Sequence, residues 1–338
     1  MASTLTHYPS ASILPILFSS KTPNPPPPAV LLSRRTNSYP SLQLSHSDNT
    51  ISFAVSNRGL RSVCSYKAGD DKVNGLDWPI LKRWDVPWEW QTVSLTSFAC
   101  GLSFLLTVLI EQSALPYFGL QVGGLDLDGK AEILFLDEAI TTIVVLGVLF
   151  SITSRFEPRP DDLFRYDLKK PFDLQRGWLL WAGIGIVGAV VAISLTGVAA
   201  SLFHADKPQR ETDALVRLLP LIGSSTISTA WLVGVTGVLA PLLEETLFRG
   251  FLMVSLTKWL PTPVSVLISG AVFAVAHLTP GQFPQLFVLG TILGFSYAQT
   301  RNLLTPITIH ALWNSGVILL LAFLQLQGYD IRELLQNS

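Results

Sequence analysis

The stretch Ala240-Pro-Leu-Leu-Glu-Glu-Thr-Leu-Phe-Arg-Gly250 decides how this chain has to fold. It places two adjacent carboxylates and a guanidinium in one of the most apolar parts of the sequence, with no charged residue between Arg217 and Glu244. A charge at the centre of a membrane-spanning helix costs about 3 kcal/mol on insertion scales. Three such charges together require pairing, a water-filled cavity or a chemical role.

The composition of the 338-residue chain is that of a protein embedded in a lipid bilayer. Mean hydropathy is +0.43, hydrophobic residues make up 49% and charged residues only 14%. These values predict an all-α, polytopic transmembrane helix bundle. A net charge of -1 gives no basic surface for nucleic acid, so nucleic-acid binding is not expected. The two cysteines, Cys64 and Cys100, provide neither a disulfide framework nor a cysteine-based metal site.

Residues 1–67 have the composition of an organelle transit peptide. Ser, Thr and Pro are frequent, six basic residues occur, and Asp48 is the one acidic residue. The opening Met-Ala-Ser favours a plastid over a mitochondrion. The alternative is an ordinary disordered tail with a stiff proline spacer. We therefore expect a multi-pass protein of a chloroplast membrane, either the thylakoid or the inner envelope.

Four further divisions are expected after the transit peptide. Residues 68–92 are Trp-rich and predict an interfacial N-terminal segment, 93–217 the N-terminal transmembrane helices, 218–326 a C-terminal core and 327–338 a tail. About seven or eight helices result. Pro220, Gly223 and Pro241 are expected to break up the stretch 218–243, with a separate short segment at 251–260. Short, proline-interrupted helices predict a cavity at membrane depth.

Flanking charges and spacing give three smaller expectations. Basic residues before the first span and in the loop before Gly177 place both on one face, the stromal face of a plastid membrane. Gly290-x-x-x-Gly294 could form a close helix-packing face, although an ordinary helix contact is the default expectation. Glu132, Asp137 and Glu138, in the first half of the second span, either lie near an interface or face the bundle. We take the first option and give them no chemical role.

The acidic stretch suggests that its two carboxylates have different roles. Glu245 and Arg249 are four residues apart, about 40° around a helix, which is the spacing of an ion pair. Glu244 projects about 100° away from Glu245 and cannot share that partner equally well. Our hypothesis is that Arg249 holds Glu245 and leaves Glu244 to act on a substrate or on water.

Two histidine motifs follow in otherwise apolar helices. His277 ends an apolar run one turn after Phe273, and His310 shares a helical face with Asn314. Glu244 and His277 together could activate a water molecule, and His310 with Asn314 could polarise a carbonyl or stabilise an oxyanion.

Structural interpretations compete with this chemistry. A single intramembrane histidine often only joins two helices, and the Glu-Glu-Arg group could be a structural ion-pair cluster. A metal such as zinc bound by Glu244, His277 and His310 is a further alternative. It is less favoured, because His-Glu-x-x-His does not occur and Arg249 would lie close to the cation. No cofactor is expected otherwise.

The three motifs together resemble those of the CAAX prenyl endopeptidase family, also called the CAAX protease self-immunity, CPBP or Abi family. Its pattern is Glu-Glu-x-x-x-Arg, Phe-x-x-x-His and His-x-x-x-Asn. This sequence meets the pattern at every position, with Glu244, Glu245, Arg249, Phe273, His277, His310 and Asn314. The resemblance covers roughly 218–326 and suggests a plastid-targeted plant member.

The resemblance implies an intramembrane endopeptidase with a conical cavity. Glu244 and His277 would activate water, His310 and Asn314 would form the oxyanion site, and Glu245 and Arg249 would support them. The family is described as either glutamate-dependent or metal-dependent. The substrate would be a membrane protein or peptide. The alternative is a non-proteolytic plastid scaffold that stabilises photosynthetic or pigment-synthesis proteins, whereas a transporter would show inverted repeats, which the sequence lacks.

Overall fold

The structure, a computed structural model, describes residues 79–118, 124–202 and 218–329. The predicted transit peptide, residues 68–78 of the predicted interfacial segment and most of the predicted C-terminal tail lie outside these residues. Within them the chain forms seven helices and no strand: α1 (Trp90–Ala114), α2 (Leu127–Thr153), α3 (Trp178–Leu202), α4 (Thr226–Leu256), α5 (Thr262–Ala276), α6 (Phe283–Thr300) and α7 (Leu304–Leu326). The predicted helical bundle is confirmed. Five of these helices, α1 to α4 and α7, are long and apolar enough to cross a membrane.

Helix α4 differs from the prediction. It begins at Thr226, after Ser225 caps the Ser228 amide at 2.9 Å, and it runs without a break through Pro241 to Leu256. The stretch predicted as a separate short segment at 251–260 is therefore mostly the end of the same helix. The expectation that Pro241 interrupts the helix is wrong.

Two π-helical segments explain how α4 tolerates a proline. Val235–Leu239 and Thr246–Met253 have the wider π turn, and they lie directly before and after the α-helical turn Ala240–Glu245. A proline in a regular α-helix clashes with the carbonyl four residues earlier and leaves it without a donor. A wider turn ahead of Pro241 relieves that conflict. Such π segments are rare and often lie at functional sites.

Helices α5 and α6 pack most closely, through glycines. A Cβ atom at Gly290 would lie 3.0 Å from the Cα atom and 3.1 Å from the carbonyl oxygen of Gly270. One turn further along α6, a Cβ atom at Gly294 would lie 2.8 Å from a methyl group of Val266. Gly290-x-x-x-Gly294 thus forms a close helix-packing face in place of the ordinary contact expected by default. Small residues are needed here because the two backbones nearly touch.

One end of the bundle is polar and joins three segments that are distant in sequence. Arg301 donates to Asp162 at 2.7 Å and to the Lys82 carbonyl at 2.5 Å, and its guanidinium lies 3.9 Å from the centre of the Trp84 ring. These contacts place the residues before α1, the α2–α3 loop and the α6–α7 turn on one face. This agrees with the expectation that the two basic segments share a face.

The α2–α3 loop is held onto that face by Asn302. The Asn302 side chain donates to the Asp167 carbonyl at 2.6 Å and accepts from the Asp167 amide at 3.2 Å. The Arg165 guanidinium donates to the Asp167 carboxylate and holds the pKa of that group below its usual range. The loop is thus a fixed cap on the bundle.

We expect Gly290→Ala to destabilise the bundle. The new methyl group would meet the backbone of Gly270, which cannot move as a side chain can, so α5 and α6 would have to separate. Overpacking of this kind costs about 1–3 kcal/mol, and thermal unfolding of the purified protein in detergent should show a lower midpoint. Gly188→Ala in α3 is the control, because a Cβ atom there meets nothing within 4 Å. Equal midpoints for the two variants would contradict the tight contact.

Candidate active site

A fully buried ion pair anchors the site. Arg249 donates through Nη1 to Glu245 Oε1 at 2.8 Å, and both side chains have no solvent exposure. The second guanidinium nitrogen donates to the Gly290 carbonyl at 3.0 Å, and the guanidinium carbon lies 4.4 Å from the centre of the Phe273 ring. The predicted pairing of Glu245 with Arg249 is thus present, and it links α4 to both α5 and α6.

His310 attaches to the same carboxylate. Its Nδ1 lies 2.8 Å from Glu245 Oε1. Because Arg249 holds Glu245 as an ionised acceptor, Nδ1 of His310 must be the donor. The other ring nitrogen, Nε2, then points toward Glu244, whose Oε2 lies 3.9 Å away. Glu245 therefore fixes both the orientation and the tautomer of His310.

His277 is oriented by the end of its own helix. It follows the last residue of α5, and its Nδ1 lies 2.8 Å from the Phe273 carbonyl, which can only accept a hydrogen bond. The next residue, Leu278, has φ +52°, a left-handed conformation that turns the chain sharply away. Nδ1 of His277 therefore carries a proton, and Nε2 faces Glu244 Oε2 at 3.8 Å.

Glu244 is the point on which both histidines converge. Its Oε2 atom is buried, has no hydrogen-bond partner in the described part of the chain, and faces two imidazole nitrogens. Separations of 3.8 and 3.9 Å are too long for direct hydrogen bonds. The carboxylate that Arg249 does not hold is the one open to further chemistry.

A cavity of about 320 Å³ gives access to Glu244. It lies between α1, α2, α4 and α5, and a quarter of the Glu244 side chain is exposed. The lining residues are Cys100, Gly101, Phe104, Glu138, Val145, Ala240, Leu243, Glu244, Leu247, Phe248, Ala276 and His277. His310, at 2% exposure, lies behind this lining and not in it.

Asn314 is placed differently from the other predicted residues. It lies one turn after His310 on α7, and its amide donates to the Thr236 carbonyl at 2.9 Å. That carbonyl belongs to the first π segment of α4. In the structure the Asn314 side chain thus holds α7 against the π segment that precedes Glu244. This hydrogen bond uses one of the two amide hydrogens of Asn314.

The donor types around Glu244 are those that zinc prefers, a carboxylate and two imidazoles. However, the described residues contain no group of three or more His, Cys, Asp or Glu side chains placed to hold a metal ion. No chemical step below passes through a metal.

Sequence reasoning missed Glu138. It was given no chemistry, yet it lines the cavity together with Glu244. The available signal was its depth: Glu138 lies eleven residues after the start of α2, and apart from its neighbour Asp137 the residues around it are mostly apolar. An acid at that depth in a membrane helix indicates a functional site by default.

Residues 225–316 match the sequence model of the family described as "Type II CAAX prenyl endopeptidase Rce1-like". This stretch is therefore similar to that family. The match lies within the predicted core, 218–326, and includes both glutamates, Arg249, both histidines and Asn314.

Two bacterial proteins are similar to this chain over longer stretches. "Membrane-embedded CAAX protease MroQ" of Staphylococcus aureus (strain USA300) is 27% identical over 241 residues, which are 67% of this chain and 87% of that protein. "Putative membrane peptidase YdiL" of Bacillus subtilis (strain 168) is 25% identical over 179 residues, which are 53% of this chain and 66% of that protein. The chain thus matches just under two thirds of the Bacillus protein. No solved structure matches. These similarities support a membrane peptidase at the level of the family.

We expect Arg249→Met to be strongly destabilising. Removal of one partner leaves Glu245 as an uncompensated buried charge, which costs about 3–5 kcal/mol. Arg159→Met is the matched control, because Arg159 pairs with Glu157 at the surface and both side chains are exposed. The measurement is the thermal unfolding midpoint in detergent. The double variant Glu245→Gln/Arg249→Met should recover part of the loss, and a loss no larger than that of Arg159→Met would contradict a structural role for the pair.

Proposed function

We propose that this protein is an intramembrane endopeptidase that hydrolyses a peptide bond with a water molecule activated by Glu244. The observation that carries the proposal is the convergence of two imidazole Nε2 atoms on one carboxylate oxygen, at 3.8 and 3.9 Å, next to an accessible cavity. The neighbouring Glu245 is occupied by Arg249 and His310, so Glu244 is the free base.

The first chemical step uses the tautomer of His277. Since its Nδ1 donates to the Phe273 carbonyl, its Nε2 has a free lone pair. A water molecule between this nitrogen and Glu244 would have two acceptors for its protons. Glu244 takes one proton while the water oxygen attacks the substrate carbonyl carbon, and the carbonyl oxygen becomes an oxyanion.

The oxyanion requires a donor on the other side of the carbonyl. Nδ1 of His310 stays on Glu245, so His310 that has taken a second proton onto Nε2 from solvent before the substrate binds can donate from Nε2 to the oxyanion and keeps that proton through the step. We assign Asn314 a supporting donor role through its second amide hydrogen. The tetrahedral intermediate then collapses, and Glu244 returns its proton to the leaving amine nitrogen, which completes the hydrolysis.

The expected substrate is a membrane protein or a membrane-bound peptide. A mostly apolar cavity inside a helical bundle favours an extended apolar segment that enters from the bilayer. From the composition of residues 1–67 we propose a chloroplast membrane, either thylakoid or inner envelope, as the location. The alternative function is a non-proteolytic scaffold for photosynthetic or pigment-synthesis proteins.

Replacement of the proposed base tests the function directly. We expect Glu244→Gln, introduced into a plant line that lacks the protein, not to restore the wild-type phenotype, because the amide cannot accept the proton of water. A general base contributes about 10²–10⁴-fold to rate. Leu232→Met, a volume-conserving change at a buried position of the same helix, should restore it. Immunoblots of isolated membranes must show equal accumulation of both variants.

The outcome separates the two functions. Failure of Glu244→Gln with rescue by Leu232→Met supports the peptidase, and an uncleaved membrane protein should then accumulate in the mutant. Full rescue by Glu244→Gln would reject the peptidase for that phenotype and favour the scaffold.

Metal removal tests the mechanism. We expect peptidase activity of the purified protein to survive dialysis against a chelator, because the site geometry provides a base and an oxyanion donor without a metal. The measurement is cleavage of a peptide library before and after dialysis, with elemental analysis of the dialysed protein. Loss of activity that is restored by added zinc would show that Glu244 and the histidines act as ligands.

A further inference from the structure

We infer that Glu138 determines substrate specificity: it selects substrates that present a basic side chain to the cavity. This inference rests on the proposed function, because it concerns the segment that occupies the cavity during hydrolysis.

The position of Glu138 in the cavity wall is the first observation. The wall contributed by α1 and α2 holds Glu138, whereas Glu244 and His277 come from α4 and α5. Nearly all other lining side chains are apolar. A substrate that reaches Glu244 therefore meets one additional formal charge, and that charge is the carboxylate of Glu138.

The second observation is that no cation of the protein neutralises Glu138. No ion pair involves it among the described residues, and Arg249, the cation nearest in sequence to Glu244, is buried and pairs with Glu245. Asp137, the sequence neighbour of Glu138, and the cavity residue Glu244 are further acids. The cavity thus has a negative field without a counter-charge. In a medium of low dielectric, such a field attracts a cationic group and repels an anionic one.

A structural role for Glu138 is less well supported. A carboxylate is costly within a membrane helix and is usually offset by hydrogen bonds or by a cation. Glu138 has neither among the described residues, unlike Glu245, which Arg249 and His310 hold. A ligand that carries the missing cation would supply the compensation.

A lysine or arginine side chain of the substrate fits these features. Its methylene stem can lie along Phe104 and Leu247 while its charged end pairs with Glu138. A single carboxylate in a substrate pocket is sufficient to select basic side chains in a protease. At about 320 Å³, the cavity is at the lower end of the range for ligand pockets, about 300–1,000 Å³, so it accommodates a short segment of chain.

The test uses the full-length protein in lipid vesicles with a randomised peptide library, and mass spectrometry identifies the cleavage sites. We expect wild type to favour Lys or Arg over Glu at one position near the cut by about tenfold. Glu138→Gln should lose most of this preference, and Glu138→Lys should reverse it toward Asp and Glu. Glu138→Asp, which keeps the charge, should retain it. Glu132→Gln is the matched control, because Glu132 is an exposed acid of the same helix outside the cavity.

The outcomes distinguish this inference from the proposed function. Cleavage by wild type without a charge preference, or a preference for basic residues that persists in Glu138→Gln, would overturn the role of Glu138 and leave the peptidase intact. Equal loss of cleavage for all peptides in a folded Glu138→Gln protein would also overturn it, since that indicates general catalysis. If wild type cleaves nothing, the proposed function fails. Selectivity can then be tested without cleavage, by photo-crosslinking a Lys-containing and a Glu-containing peptide to Glu244→Gln and to Glu138→Gln/Glu244→Gln. Equal labelling of Glu244→Gln by the two peptides would overturn the inference.

Discussion

The buried ion pair between Glu245 and Arg249 is the interaction on which the rest of the site depends. An unpaired guanidinium or carboxylate inside an apolar bundle costs several kcal/mol, so the two groups must find each other and all remaining polar partners. Arg249 does so by reaching the Gly290 carbonyl and the face of Phe273. Glu245 does so by accepting from His310. Four helices are fixed relative to one another by one pair of charges.

This pair also explains why two adjacent glutamates have different environments. Glu245 is fully enclosed and its Oε1 atom accepts from Arg249 and His310, whereas Glu244, one residue earlier, lines the cavity and accepts no hydrogen bond at Oε2 within the described residues. The division comes from the helix itself, because neighbouring side chains project about 100° apart. The π segments on either side of this turn release the helix from strict α geometry where Pro241 and the charged residues have to be accommodated. A regular helix through the same residues would place Pro241 against the carbonyl of Gly237.

The contact between α5 and α6 and the turn from α6 into α7 connect the site to the polar end of the bundle. The glycine contact between α5 and α6 brings Gly290 within reach of Arg249. At the end of α6, Arg301 has φ +51° and turns the chain into α7, which carries His310. Arg301 also ties this turn to Trp84 and Asp162. The histidine that faces Glu244 from α7 is therefore positioned by contacts at the membrane surface as well as by Glu245.

The sequence by itself determined the helical membrane class, most of the helix positions and the Glu245–Arg249 pair. These follow from hydropathy and from spacing within one helix, which are local properties. It also singled out Glu244, His277 and His310, because polar groups in long apolar stretches have few structural explanations. Only the tertiary structure decided that α4 continues through Pro241, that Asn314 donates to Thr236, and that Glu138 lines the cavity with Glu244. Each of these depends on contacts between helices far apart in sequence, and the periodicity of a single helix contains no information about its neighbours.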